Sequence, residues 1–302
     1  LLMKWFNQLV VQILPLFPKS FVWIFSKRYI AGIDLDDAIE KTIKLNQEKI
    51  VATIDVLGED ITQLEEASKA TEACIETIKE IHKNQLQAGI SIKLTQLGLC
   101  IDTDECYKNV EKIVQTADQL GVFVRIDMED STTTDKTLDI YRRIRKNYSH
   151  VGTVIQAYLK RTKDDVQKLI DEGIGNLRIC KGIYDESPEI AYKDDNQIRE
   201  SYMELTEMIL RSGQFAAIAT HDKDLVEKSV ALIQEHKIDS NAFEFQMLLG
   251  VTENLRATVV KDGHNMRVYV PYGQQWHGYC MRRMKENPQV AGHVIKNLFI
   301  RN

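Results

Sequence analysis

The stretch GVFVRIDMED at residues 121–130 has the pattern that decides the fold. A glycine opens it, a short apolar and β-branched run follows, and acidic residues close it, as in a buried strand that ends in polar side chains. The next stretch, TLDIYRRIRKN at residues 137–147, spaces its apolar residues three and four apart. That spacing is typical of an amphipathic helix, so the local unit is a strand followed by a helix.

The same unit repeats along the chain from about residue 50. Each connection is long and helical, which requires neighbouring strands to pair in parallel. The default closed form of eight such units is a (β/α)8 barrel, a TIM-like α/β fold. The eight predicted strands lie in KIVATIDVLGE, AGISIKLTQLG, GVFVRIDMED, GTVIQAYLKR, GNLRICKGIYD, FAAIATHD, AFEFQMLLG and NMRVYVPYG.

A doubly wound open sheet is the alternative, but its phosphate-binding fingerprint is missing. The only candidate, Gly173-Ile174-Gly175, precedes a β run instead of following one. GxxxxGK, HExxH and GxSxG are absent from the sequence. The barrel is therefore preferred, and Thr62 with Glu65 predicts a capping box at the start of the helix after the first strand.

Length and composition favour one globular domain. The 302 residues are 44% hydrophobic, with five prolines and no flexible linker tract. We expect residues 1–49 to form short N-terminal helices packed on the barrel, and residues 50–302 to form the barrel itself. The apolar N terminus is interrupted by Gln12, Pro15, Pro18 and Lys19, which breaks it too often for a membrane span, and no small-residue cleavage site follows it. Packing on the domain or peripheral contact with a membrane is expected instead.

Charge and cysteine usage exclude several classes of function. The formal net charge is −5 and basic runs are absent, so we expect no nucleic-acid partner. The five cysteines are scattered, without CxxC pairs or clusters at metal-ligand spacing. This pattern indicates a reducing compartment, here taken as the cytoplasm, and no metal site.

Polar residues close nearly every predicted strand, where barrels of this kind carry their chemistry. Taken singly, each has a structural explanation, such as an interior ion pair or a helix cap. Burying so many charges on one rim without a ligand would be costly, so together they predict a site. The residues concerned are Asp55, Glu59, Lys93, Asp127, Glu129, Asp130, Gln156, Arg178, Lys181, Tyr184, Thr220, His221, Glu244, Gln246, Tyr269 and Tyr272.

The stretch YCMRRMKE at residues 279–286 adds a second polar element. In a helix, Tyr279, Arg282, Arg283 and Glu286 share one face, which is unlike a core stripe. Paired guanidiniums hold a carboxylate better than lysine does, and nearby tyrosines can wall off a small ligand. The pattern predicts a pocket for an amino acid or similar small acid, with a cofactor phosphate as a second anion.

Seven strings together resemble the proline dehydrogenase family, in order and spacing, from about residue 50 to the C terminus. The last is the most specific, because it joins a tyrosine, an arginine pair and Glu-Asn. RYIAG at residues 28–32 extends the likeness forward. The strings are SIKLTQLG, VRIDMEDS, VIQAYLKRT, LRICKGIYD, ATHD, FEFQMLLG and YVPYGQQWHGYCMRRMKENP.

The resemblance implies a distorted (β/α)8 barrel that binds FAD over its strand ends and oxidises L-proline to 1-pyrroline-5-carboxylate by hydride transfer from C5 to flavin N5. It implies catalytic roles for Asp127 and Arg178, with Arg178 also against the flavin. The implied substrate-binding residues are Lys93, Tyr184, Leu248, Tyr269, Tyr279, Arg282 and Arg283. The other implied cofactor-binding residues are Met128, Gln156, Lys181, Gly182, Ile183, Thr220, His221, Gln246 and Glu286.

The resemblance also implies an electron acceptor, and the sequence departs from the family at one position. Electrons are expected to pass to membrane quinone, and the chain is too short to include an aldehyde dehydrogenase domain, which predicts a monofunctional enzyme. Asp185 stands where some larger members have tryptophan, so the flavin edge is expected to pack differently. Two rival functions follow from the residues alone: a Schiff-base aldolase using Lys93 or Lys181, and a non-catalytic barrel that binds a small acid.

Overall fold

A computed structural model describes residues 19–58 and 61–286 of the chain. Eight strands form a closed, all-parallel barrel in chain order, in which β8 pairs with β1 from Val51–Arg267 to Val56–Tyr272. The predicted fold is confirmed. The strands are β1 Val51–Val56, β2 Ala88–Ile92, β3 Val124–Ile126, β4 Val151–Gln156, β5 Leu177–Cys180, β6 Ala216–Ala219, β7 Phe243–Leu248 and β8 Met266–Tyr272.

Helices precede the barrel and follow each of its strands. The bounds of the helices are α1 Lys19–Ser26, α2 Leu35–Gln47, α3 Leu64–Lys83, α4 Thr103–Leu120, α5 Thr134–Arg145, α6 Thr162–Asp171, α7 Asp195–Arg211, α8 Lys223–Glu235, α9 Glu253–Lys261 and α10 Trp276–Glu286. A short 3₁₀ helix, Thr95–Leu97, lies between β2 and α4.

Local chemistry explains where these elements begin and end. Helix α4 begins after Asp102, whose carboxylate accepts hydrogen bonds from the backbone N–H groups of Asp104 and Glu105. It ends at Gly121, which adopts the left-handed conformation at φ 68° that glycine tolerates best. The buried face of α4, which includes Val110 and Ile113, packs into the main core between helices and strands. Burying each such side chain stabilises the fold by roughly 1.5–3 kcal/mol.

The capping box predicted at the start of α3 is displaced by one residue. Helix α3 begins at Leu64, and Gln63 caps it with Glu66 as its partner. Oε2 of Glu66 accepts hydrogen bonds from the backbone N–H groups of Thr62 at 2.8 Å and Gln63 at 3.1 Å. The predicted Thr62–Glu65 pairing is therefore wrong, because the carboxylate one residue later turns back over the helix start.

The first described helix packs against the last one. Val22 of α1 joins a small buried cluster with Tyr279 and Cys280 of α10, and the rings of Trp23 and Trp276 meet edge to face at 4.8 Å. Residues 1–18 of the predicted N-terminal segment lie outside the described residues. Among the described helices, none combines the length and apolar character needed to cross a membrane.

Candidate active site

The carboxyl ends of the strands bring four of the predicted polar residues to one end of the barrel. Lys93 and Asp127 each follow directly on a strand, β2 and β3, while Arg178 lies within β5 and Tyr269 within β8. Because the strands are parallel, their carboxyl ends share one rim. These four residues, which are distant in sequence, form one hydrogen-bonded group.

Asp127 is the centre of that group. Its Oδ1 accepts hydrogen bonds from Arg178 Nη1 at 2.6 Å and Ser91 Oγ at 3.1 Å. Its Oδ2 accepts one from the Tyr269 hydroxyl at 3.0 Å, and the Lys93 ammonium lies 3.7 Å away. The side chains of Asp127 and Arg178 are 12% and 9% exposed. A carboxylate bonded on both oxygens fixes the two cations and the phenol in one orientation.

Lys93 is held as a cation by its neighbours. Nζ donates to Asp55 Oδ1 at 2.7 Å and to the Tyr269 hydroxyl at 3.1 Å. Burial by itself would lower the pKa of Lys93, but Asp55, Tyr269 and Asp127 together raise it well above the ordinary value. Burial, followed by Asp127 and Asp55, also raises the pKa of Tyr269 far above its usual range. At neutral pH the lysine therefore stays charged and the phenol stays protonated.

A second polar layer supports the first from inside the barrel. Arg178 Nε donates to Gln246 Oε1 at 2.6 Å, and Gln246 Nε2 donates to Glu244 Oε1 at 2.6 Å. Glu244 in turn accepts from Arg267 Nε at 2.6 Å. Because each side chain in this chain of hydrogen bonds is held by the next, Arg178 has little freedom to turn away from Asp127.

Arg125 lies in this inner layer without a carboxylate at ion-pair distance among the described residues. Its Nη1 donates to the backbone carbonyls of Thr153 at 2.9 Å and Asn176 at 2.8 Å. Burial, and then the charge of Arg178, lowers the pKa of Arg125 to about 9. Gly152 makes room for it, because a Cβ there would lie 2.3 Å from Nη1. The barrel interior thus carries a cationic bias, which favours anionic ligands.

Helix α10 brings the predicted arginine pair to the same end. The Arg283 guanidinium lies 5.3 Å from the ring centre of buried Tyr279, and its charge reaches His221. Arg282 is more exposed and influences Tyr184, whose pKa is raised to about 12, first by burial and then by Glu129. The charges of the two arginines thus act on different residues at this end of the barrel, His221 after β6 and Tyr184 after β5. The side chain of Glu286, the last residue of α10, lies outside the described part of the structure.

The residues predicted to bind the cofactor lie along the ends of β3 to β7. Gln156 Nε2 donates to the Glu129 carbonyl at 3.0 Å, while its buried Oε1 has no hydrogen-bond partner among the described residues. Lys181 donates to Asp222 at 2.6 Å, and Ile183 is 49% exposed beside Gly182. The remaining predicted cofactor residues, Met128, Thr220, His221 and Gln246, are buried or half-buried at the same ends.

These features fit a large polar cofactor with an aromatic ring. The unpaired buried Oε1 of Gln156 is a hydrogen-bond acceptor for which the described protein supplies no donor. Lys181 and Arg199 both pair with Asp222, so these three groups together keep one positive charge that suits a phosphate. Exposed Ile183 offers apolar surface for a ring. The predicted FAD contacts remain predictions, and this set of groups is compatible with them.

Two residues support the Asp127 group in ways that the sequence did not indicate: Ser91 was not predicted, and Asp55 was predicted at the rim without a specific role. Ser91 hydrogen-bonds both Asp127 and Arg178, and Asp55 pairs with Lys93. A signal for Ser91 was available, because it stands two residues before Lys93 and so on the same side of the strand. The partner of Lys93 could not be identified in that way, since several rim carboxylates were equivalent in sequence.

Comparison with known proteins gives one family. The family model described as "Proline dehydrogenase" matches residues 38–296. "Proline dehydrogenase 2" of Bacillus subtilis is 42% identical over 271 residues, which are 90% of this chain and 89% of that relative. "Proline dehydrogenase" of Deinococcus radiodurans is 33% identical over 282 residues, or 92% of this chain and 91% of that relative.

A solved structure of proline utilization A (PutA) from Bdellovibrio bacteriovorus, inactivated by N-propargylglycine, is also similar. The TM-score is 0.84 at 25% identity, over 89% of this chain. This chain spans only 33% of that longer one. Fold and sequence comparisons thus point to the same kind of barrel.

Proposed function

The chain belongs to the proline dehydrogenase family, and from that premise we propose that it uses FAD to oxidise L-proline to 1-pyrroline-5-carboxylate. The observation that carries the proposal is the group centred on Asp127, in which Lys93, Arg178 and Tyr269 converge at the strand ends. Together with the arginine pair of α10, it provides fixed cations for a carboxylate beside phenols that can line a small ring.

Substrate orientation is the main task of these side chains. We assign the proline carboxylate to Lys93, Arg282 and Arg283, because the first is held as a cation and the other two approach from a separate element. The walls of the pocket are Tyr184, Leu248, Tyr269 and Tyr279. Fixing the substrate at one end converts a loose encounter into a defined reacting geometry.

Oxidation removes a hydride from C5 of proline and a proton from its nitrogen, leaving the C=N bond of the product. FAD, when bound, supplies the two-electron acceptor for that hydride, which the protein's own side chains cannot supply. Met128, Gln156, Lys181, Gly182, Ile183, Thr220, His221 and Gln246 are the residues proposed to hold it, together with Glu286. Arg178, locked by Asp127 and Gln246, would keep a positive charge beside the flavin ring.

The aldolase alternative is disfavoured at Lys93, one of its two candidate lysines. A Schiff-base lysine needs a lowered pKa so that its amine is free to attack. The neighbours of Lys93 raise its pKa instead. This ammonium is suited to bind an anion.

Steady-state oxidation of L-proline tests the proposal. Protein loaded with FAD is mixed with L-proline and either an artificial electron acceptor or a short-chain quinone, and the product is identified by mass spectrometry. Lys93→Met should raise KM strongly, whereas the matched control Lys83→Met, on a lysine that is 72% exposed, should not change it. Absence of product with every acceptor would refute the proposed function.

The quinone arm of this assay also tests the proposed physiological acceptor. Faster turnover with quinone in vesicles than with free quinone would support transfer at a membrane surface. Equal rates with and without vesicles would count against peripheral membrane association.

A further inference from the structure

The loop at the end of β7, residues 248–252, begins with the last residue of that strand and is tied to the end of β6 by the imidazole ring of His221. The backbone N–H of Leu248 donates to Nε2 of His221 at 3.2 Å. Nδ1 of the same ring lies 2.8 Å from Oγ1 of Thr252. Both ring nitrogens are thus engaged by the two ends of one loop, although 27 and 31 residues separate His221 from these partners.

The backbone contact fixes the tautomer of His221. Because Nε2 accepts from an N–H group, it carries no hydrogen, so Nδ1 is the protonated nitrogen and donates to Thr252. The Thr252 hydroxyl then directs its own hydrogen to Met247 Sδ, 3.7 Å away. Burial, and then the charge of Arg283, lowers the pKa of His221 to about 4, which keeps the ring neutral.

The backbone of the loop is strained, so hydrogen bonds from its surroundings are needed to hold it in place. Thr252 lies in the left-handed region at φ 45°, ψ 46°, where a β-branched side chain is unfavourable. Gly250 has φ 75°, and a Cβ there would lie 2.0 Å from the Arg28 carbonyl oxygen. On its outer side, the loop receives a hydrogen bond from Arg28 Nε to the Gly250 carbonyl at 2.7 Å.

The same loop carries one wall of the candidate active site. Leu248 is in register with Tyr269 of β8, and the Leu249 N–H donates to the Tyr269 carbonyl at 3.1 Å. Tyr269 in turn hydrogen-bonds Lys93 and Asp127. A shift of the loop would therefore move the pocket wall against groups that the barrel holds fixed.

We propose that Thr252, through the ring of His221, is a positioning residue that holds Leu248 against the substrate pocket. The role of Thr252 in proline binding rests on the proposed function, whereas its role in holding the loop at residues 248–252 does not. Thr252 lies away from the Asp127 group, so its effect on the reaction is indirect. Loss of its hydroxyl leaves Nδ1–H of His221 without its acceptor and releases the strained end of the loop.

The test replaces the threonine hydroxyl and follows kinetics and loop exchange in the FAD-loaded enzyme. Thr252→Val removes the acceptor but keeps the side-chain shape, and Thr252→Ser restores the hydroxyl. Thr258→Val is the matched control, since among the described residues that hydroxyl bonds only the Asn254 carbonyl within its own helix α9. Hydrogen exchange of the peptide that contains residues 244–252 is measured by mass spectrometry alongside KM and kcat for L-proline.

Thr252→Val should raise KM about three- to tenfold with kcat within about twofold, and should speed exchange in residues 244–252 alone. Thr252→Ser and Thr258→Val should both match the parent. Unchanged KM with unchanged exchange would overturn the proposal, as would faster exchange throughout the barrel with a fall in kcat. If the parent does not oxidise proline, the proposed function fails, while the exchange data still decide whether His221 and Thr252 hold the loop.

Discussion

Replacing Asp127 by asparagine should destabilise the barrel by about 3–5 kcal/mol, the usual cost of leaving one partner of a buried ion pair behind. The carboxylate accepts from Arg178, Ser91 and Tyr269 and lies 3.7 Å from the Lys93 ammonium. An amide offers one oxygen and turns an NH₂ donor towards groups that are themselves donors. Arg178, with 9% of its side chain exposed, cannot recover this loss from water.

Part of the network survives, which sets the upper limit on the loss. Lys93 keeps Asp55 at 2.7 Å, and Arg178 keeps Gln246 at 2.6 Å. The expected loss therefore corresponds to one charged hydrogen bond of about 1.5–3 kcal/mol and the cost of one misplaced donor of about 1–3 kcal/mol.

Equilibrium unfolding in urea, followed by far-ultraviolet circular dichroism, measures the difference from the shift in midpoint at constant slope. The control is Glu207→Gln, which removes an exposed carboxylate 3.1 Å from Arg211. We expect it to change the free energy of unfolding by less than about 1 kcal/mol. If Asp127→Asn costs no more than this control, Asp127 does not organise the site as described.

Three further predictions concern the rim. Arg283→Met should raise KM for proline and lower kcat/KM about 30- to 900-fold, which corresponds to a loss of roughly 2–4 kcal/mol of transition-state binding. Arg211→Met, on the exposed surface, should leave KM and kcat/KM unchanged in the same assay. Arg178→Ala should slow flavin reduction in stopped-flow experiments with substrate affinity largely kept, and a loss of affinity alone would contradict its assigned place. Burial, and then Arg283, lowers the pKa of His221 from 6.5 to about 4, so its contribution to stability is present above pH 6.5 and is lost as the pH falls towards 4. Urea unfolding between pH 6.5 and 5 should show a loss of about 1.5 kcal/mol that His221→Asn abolishes, and the same pH dependence in the variant would argue against this assignment.

The barrel was predictable because its sequence signal is local and repeated. Each β run alternates with an amphipathic segment, and the eight runs match the eight strands. The convergence of polar residues on one rim was also predicted, and Lys93, Asp127, Arg178 and Tyr269 do meet there. Boundaries were less predictable, as the shift of the capping box from Thr62–Glu65 to Gln63–Glu66 shows.

Pairings across the barrel could not be predicted, because they depend on three-dimensional proximity among chemically equivalent groups. Sequence offered several carboxylates for Lys93, and only the register of β1 beside β2 brings Asp55 close to it. The contact of His221 with Thr252 is similar, since it joins two loops 31 residues apart and depends on a left-handed threonine. Such a conformation has no reliable sequence signature.

The most direct test of the proposed function is anaerobic addition of L-proline to the purified protein. We predict that the protein is yellow from bound FAD and that its visible absorbance bleaches with L-proline, and recovers when quinone is added. A protein that takes up no FAD, or one whose bound flavin stays oxidised in the presence of L-proline, would contradict the account.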